Sequence, residues 1–71
     1  MSKKLHAFGV RAESMVFAFD IARQRLRKWV NKQHTVPEFL VLRLVGMEQT
    51  FDCKRVDWLT PLYRFEVHEE E

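Results

Sequence analysis

The sequence predicts a single small α+β domain, with one helix laid on an antiparallel sheet of three to four strands in the order β-α-β-β-β. Three observations lead there: a period-two stretch near the N-terminus, one long helical stripe of apolar residues, and three later strand-sized runs separated by turn residues. Seventy-one residues leave room for one domain, read here as residues 1–71, and exclude two-domain enzymes, repeat arrays and barrels. The composition is 46% hydrophobic, 31% charged and 13% aromatic, with two glycines and two prolines, and it is that of a folding chain.

The first strand spans His6 to Ala12. His6, Phe8, Val10 and Ala12 alternate with Ala7, Gly9 and Arg11, the period of a half-buried strand. Ser14 then stands where an N-cap would, and a helix follows from about Met15 to Lys32. At 100° per residue, Met15, Phe19, Ala22, Leu26, Trp29 and Val30 form the face expected to pack on the sheet, with Ala18 at its edge. Phe17 and Ile21 project away from that stripe and align with Arg25, Lys28 and Lys32. An alternative ββαβββ order removes this oddity: residues 15–19 form a strand, and Asp20 caps a shorter helix.

Residues 38–45, apolar on both faces, read as a central strand. Thr35 and Glu38 have capping-box spacing, so a second helix competes here. A helix-turn-helix built that way would expose Phe39, Leu40, Leu42 and Leu44 where polar base readers are needed, which argues against it. A turn through Gly46 to Gln49 leads into a strand over Thr50 to Val56. The chain breaks at Asp57 to Pro61 and resumes as the alternating strand Leu62 to His68, ahead of a frayed acidic tail at residues 69–71. Trp29 and Trp58 are both read as core, because a core this small depends on its aromatic residues.

No apolar run has the length of a signal peptide or a membrane span, so a soluble, unprocessed protein with no membrane contact is expected. Cys53 is the single cysteine, which excludes an internal disulfide and fits the reducing cytoplasm.

Charge is distributed unevenly. Residues 1–34 hold eight Lys/Arg against two acids, a net of +6, and residues 35–71 hold four against eight, a net of −4. Arg23, Arg25, Arg27, Lys28 and Lys32 fall within ten positions, and no acid lies between Ile21 and Pro37. The isolated Gly9 and Gly46 cannot make a phosphate-cradling loop. Cys53, His6 and His68 are the only candidates for nucleophilic or metal chemistry, and they lack the paired spacing that either requires. Cys53 is read instead as a small buried hydrophobe, and His34 as a surface residue. No catalytic residue, cofactor or metal site is expected.

The function read from these features is that of a non-enzymatic binding protein, a regulator or inhibitor of a larger protein or nucleoprotein complex. Both viral-type inhibitors and small assembly subunits fit this description. Its contact face is Phe17, Ile21, Arg25, Lys28 and Lys32, an apolar anchor beside a cationic rim. Self-association through that face is the bland form of the same reading. The alternative is a nucleic-acid-binding protein that uses the basic helix 23–32, with Arg23, Arg25, Arg27, Lys28 and Lys32 on phosphates.

Overall fold

Ser14 sets the start of the helix. Its backbone is extended, with φ −143° and ψ 162°, and its hydroxyl oxygen accepts from the Phe17 N–H at 3.3 Å. Its carbonyl accepts from the Ala18 N–H at 3.0 Å, the first helical bond. A computed structural model of the chain describes residues 3–70. In order, the elements are β1 (Lys3–Arg11), α1 (Met15–Asn31), β2 (Leu40–Glu48), β3 (Phe51–Asp52), β4 (Asp57–Trp58) and β5 (Leu62–Glu69). The chain is a single small α+β domain, with one helix packed on a three-stranded antiparallel sheet and a separate two-stranded ribbon. The strand alternative for residues 15–19 is overturned, because those residues form the first turn and more of a capped helix.

The sheet order is β1-β5-β2, with β5 antiparallel to both neighbours. β5 is therefore the central strand, and the central placement expected for residues 38–45 is corrected: β2 is an edge. β5 alternates because one face lies under α1 and the other does not. Tyr63, Phe65 and Val67 are buried, while Arg64 and Glu66 point the other way. Phe8, Val10 and Ala12 of β1 and its extension join them, as the sequence alternation predicts.

Ala18 and Ala22 are fully buried. With only a methyl group at each position, α1 sits close above β1 and β5, and Phe19 meets the Phe65 ring edge-on at 5.1 Å. Phe8, its register partner on β1, stacks with Phe65 at 5.8 Å, and Trp29 lies over His6 at 5.4 Å, half-buried. Offset and edge-on pairs of this kind add to simple area burial. Met15 does not join this face as expected. It is the first residue of the helix and is 51% exposed.

Three further expectations are corrected at the C-terminal end. The strand expected over Thr50–Val56 is a short β3–β4 hairpin, with Phe51 opposite Trp58. Its loop is set by the Asp52 carboxylate, whose Oδ1 accepts from Lys54 N–H at 3.0 Å and Arg55 N–H at 3.4 Å. Trp58 is 59% exposed rather than core, because the hairpin pairs with itself and not with the main sheet, and the indole meets the Phe51 ring edge-on at 5.1 Å. Glu69 belongs to β5 and the Glu70 N–H donates to the Phe39 carbonyl, so within the described residues the acidic tail is ordered by the sheet. Glu71 lies outside them.

Candidate binding surface

Phe17, Ile21, Arg25, Lys28 and Lys32 share one flank of α1, within about 80° at 100° per residue. That flank is centred roughly 80° from the direction of Ala18 and Ala22, so it lies beside the buried face and not opposite it. The consequences differ by residue. Phe17 is 59% exposed, as expected. Ile21 is half-buried against the core, which corrects its assignment as a free apolar anchor. Arg25 is exposed, yet its guanidinium donates to the Gly9 carbonyl of β1. One of its functions is therefore internal: it covers an unpaired group on the outer edge of the sheet.

Lys28 and Lys32 are exposed and make no ion pair among the described residues. Lys28 stands in the last helical turn and Lys32 is the C-cap, positions where a cation also favours the helix dipole. The flank thus keeps Phe17, Lys28 and Lys32 for outside contact. Val16 and Met15 are also exposed in the first turn, but they point about 100° and 160° away from Phe17.

The five cations of the nucleic-acid alternative do not share a face. Arg23 and Arg25 lie about 160° apart around the helix, which separates Arg23 and Arg27 from Arg25, Lys28 and Lys32. Arg23 also sits 4.0 Å from Asp20 in an exposed i,i+3 pair, a contact of small energetic weight. A groove-bound helix would present its cations in one strip. Here they form two.

The Cys53, His6 and His68 set is not brought together. Cys53 is exposed in the β3–β4 loop, which corrects its reading as a buried hydrophobe. His68 lies at the far end of β5 from Leu62, where that hairpin joins, roughly 20 Å away at about 3.3 Å per residue. His6 faces α1, whereas His68 faces the uncovered side of the sheet, and His34 is exposed as expected. Among the described residues no group of three or more His, Cys, Asp or Glu side chains has the arrangement of a metal site.

The uncovered sheet face carries polar contacts that sequence reasoning missed. His68 is buried there, flanked in register by Lys4 and Val41, and its Nε2 lies 2.8 Å from Glu66 Oε1. Nδ1 has no partner among the described residues. Arg64 Nε donates to Glu48 Oε1 at 2.9 Å, and this hydrogen bond, reinforced by the guanidinium charge, lowers the Glu48 pKa below its ordinary value and raises that of Arg64. The available signal was the i,i+2 spacing of Arg64, Glu66 and His68 on an alternating strand.

Two shallow clefts, about 230 Å³ beside Gly9 and Arg64 and about 200 Å³ beside Trp58, fall short of the roughly 300–1,000 Å³ of small-molecule sites. No helix among the described residues is long and apolar enough to cross a membrane. No family model matches this chain, and no curated protein or solved structure shows significant similarity to it.

Proposed function

We propose that this chain is a non-enzymatic binding protein that regulates or inhibits a larger protein or nucleoprotein complex by occupying part of its surface. The observation that carries the reading is the first turn of α1, where Val16 and Phe17 are 71% and 59% exposed beside the exposed Met15. Single exposed apolar residues are ordinary. Phe17, however, shares its flank with Lys28 and Lys32, roughly 16 and 22 Å further along the helix axis, so that flank carries an apolar contact at one end and cations at the other. The complementary partner surface is an apolar depression bordered by carboxylates. An exposed, unbridged Cys53 supports a reducing, cytoplasmic setting for that complex.

Copurification from the native cell, followed by affinity measurement on the captured partner, tests the reading. Phe17→Ala should weaken binding by about 1–2 kcal/mol, as expected of an anchor. Lys28→Ala and Lys32→Ala should slow association more than they shorten the lifetime of the complex. Full binding by all three variants would remove α1 from the interface. If the captured partner is nucleic acid, affinity should fall by orders of magnitude between about 50 and 200 mM salt, and neutralising Arg23, Arg25, Arg27, Lys28 or Lys32 should flatten that dependence.

A further inference from the structure

The outer edge of β2 is bare. The Glu70 N–H donates to the Phe39 carbonyl, so Phe39 faces β5, and by the alternation of an antiparallel ladder Leu40, Leu42 and Leu44 turn their N–H and C=O groups outward. No hydrogen bond from elsewhere among the described residues reaches those groups. The same edge is apolar, since Phe39–Val45 carries one charge, Arg43, and no proline. Long, apolar, unpaired edges are templates for another strand.

We infer that the occupant is a second copy of this chain, its β2 pairing antiparallel about a two-fold axis through Leu42. Self-complementarity selects this partner and this register. An axis through Leu42 places Leu42 on its mate and Leu40 opposite Leu44 of the other copy. It also brings Phe39 opposite Val45, the residue at which β2 bulges where its register against β5 shifts between Leu44 and Gly46. Those last two side chains, 64% and 51% exposed in one copy, lie on the uncovered sheet face, Phe39 by strand alternation and Val45 beside Arg64 and Glu66. Aromatic and β-branched residues are favourable cross-strand partners. Moving the axis to Arg43 would set arginine directly on arginine, a destabilising pair. In the Leu42 register Arg43 stands opposite Val41 of the other copy, with Glu66 of its own β5 on its other side.

The product is a continuous six-stranded sheet in the order β1-β5-β2-β2-β5-β1 with both copies of α1 on one face. Both α1 flanks stay free, so the surface proposed above is displayed twice, the arrangement that raises avidity without new contacts. The dimer does not depend on that reading, and its test needs no partner.

Sedimentation equilibrium of the full chain over a wide concentration range tests the inference. A reversible monomer–dimer equilibrium is expected. Phe39→Lys and Val45→Glu should each raise the dimer dissociation constant by roughly tenfold or more, since each strands a charge against an apolar residue at two symmetry-related places. The double variant should recover most of the loss, because the register brings its two opposite charges face to face across the interface. Circular dichroism of each variant establishes that the monomer is folded. A monomer at every concentration overturns the inference. So does a dimer that ignores Phe39→Lys and Val45→Glu, or a double variant no better than its worse parent.

Discussion

β1 and β2 are nine residues each, flank the same central strand and run in the same direction, yet β1 lies under the helix and β2 lies beside it. β1 lies under α1, contributes the buried Val10, and has one outward carbonyl, that of Gly9, bonded by Arg25. β2 has no fully buried residue, and no hydrogen bond from elsewhere among the described residues reaches its outer edge. The cause is geometric. A helix is about 10 Å across and strands are about 4.8 Å apart, so one helix covers about two strands. A chain with one helix and three strands leaves a strand over, and here that strand carries Leu40, Leu42 and Leu44.

The largest expected contrast between the two halves is in stability. Phe65→Ala, at the point where Phe8 and Phe19 converge, should cost about 3–5 kcal/mol and leave so small a domain largely unfolded. Leu44→Ala on β2 is half-buried and should cost well under half as much. Urea denaturation of both checks this, and equal losses would mean that β2 is as deeply packed as β5.

Next in size is the contrast within α1. Ile21→Ala should destabilise the fold by about 1–2 kcal/mol, because part of the side chain is packed on the core. Phe17→Ala should stay within about 0.5 kcal/mol. The same denaturation measurement separates an internal from an external apolar residue four positions away on the same flank.

Arg25→Met keeps the aliphatic stem and removes the donor to Gly9. A loss of about 1 kcal/mol is expected, with Lys28→Met near zero. Loss of the β1 edge cover should also raise the tendency to aggregate, measured by light scattering on heating.

The smallest effect is acid sensitivity on the β2 side. Glu48 has a pKa lowered in the folded state by Arg64, so its contribution is present above the unfolded carboxylate value, about 4.3, and is lost as pH falls through the lower folded value. Wild type should therefore exceed Glu48→Gln slightly at neutral pH and converge with it in acid. Parallel stability curves across that window would show that the Arg64 contact is not maintained in solution.

Residues alone made one half of the molecule legible and misplaced parts of the other. Local signals carried β1, the Ser14 cap and α1, because alternation, a capping hydroxyl and a 3.6-residue stripe each act over a few positions. Strand order was not local. The doubly apolar stretch around Leu42 looked central because a buried strand and an unfinished edge awaiting another strand share one pattern. The exposure of Phe17, Lys28 and Lys32 was legible. The reading failed for Ile21 and Arg25, since the lateral position of a helix over a sheet decides which flank meets an edge strand. Trp58 failed for a related reason: residue type favours burial, but a hairpin that pairs with itself and not with the main sheet leaves its indole exposed.

Residue-resolved amide hydrogen exchange along β2, at low and at high protein concentration, tests the unfinished edge most directly. In dilute solution the Leu40, Leu42 and Leu44 amides should exchange rapidly while those of Val41 and Arg43, bonded to β5, are protected. At high concentration the three leucine amides should gain protection together. Strong protection of Leu42 in dilute solution would contradict the account, since something in its own chain would then cover the edge. Rapid exchange at every concentration would leave the edge open but contradict its pairing with a second copy.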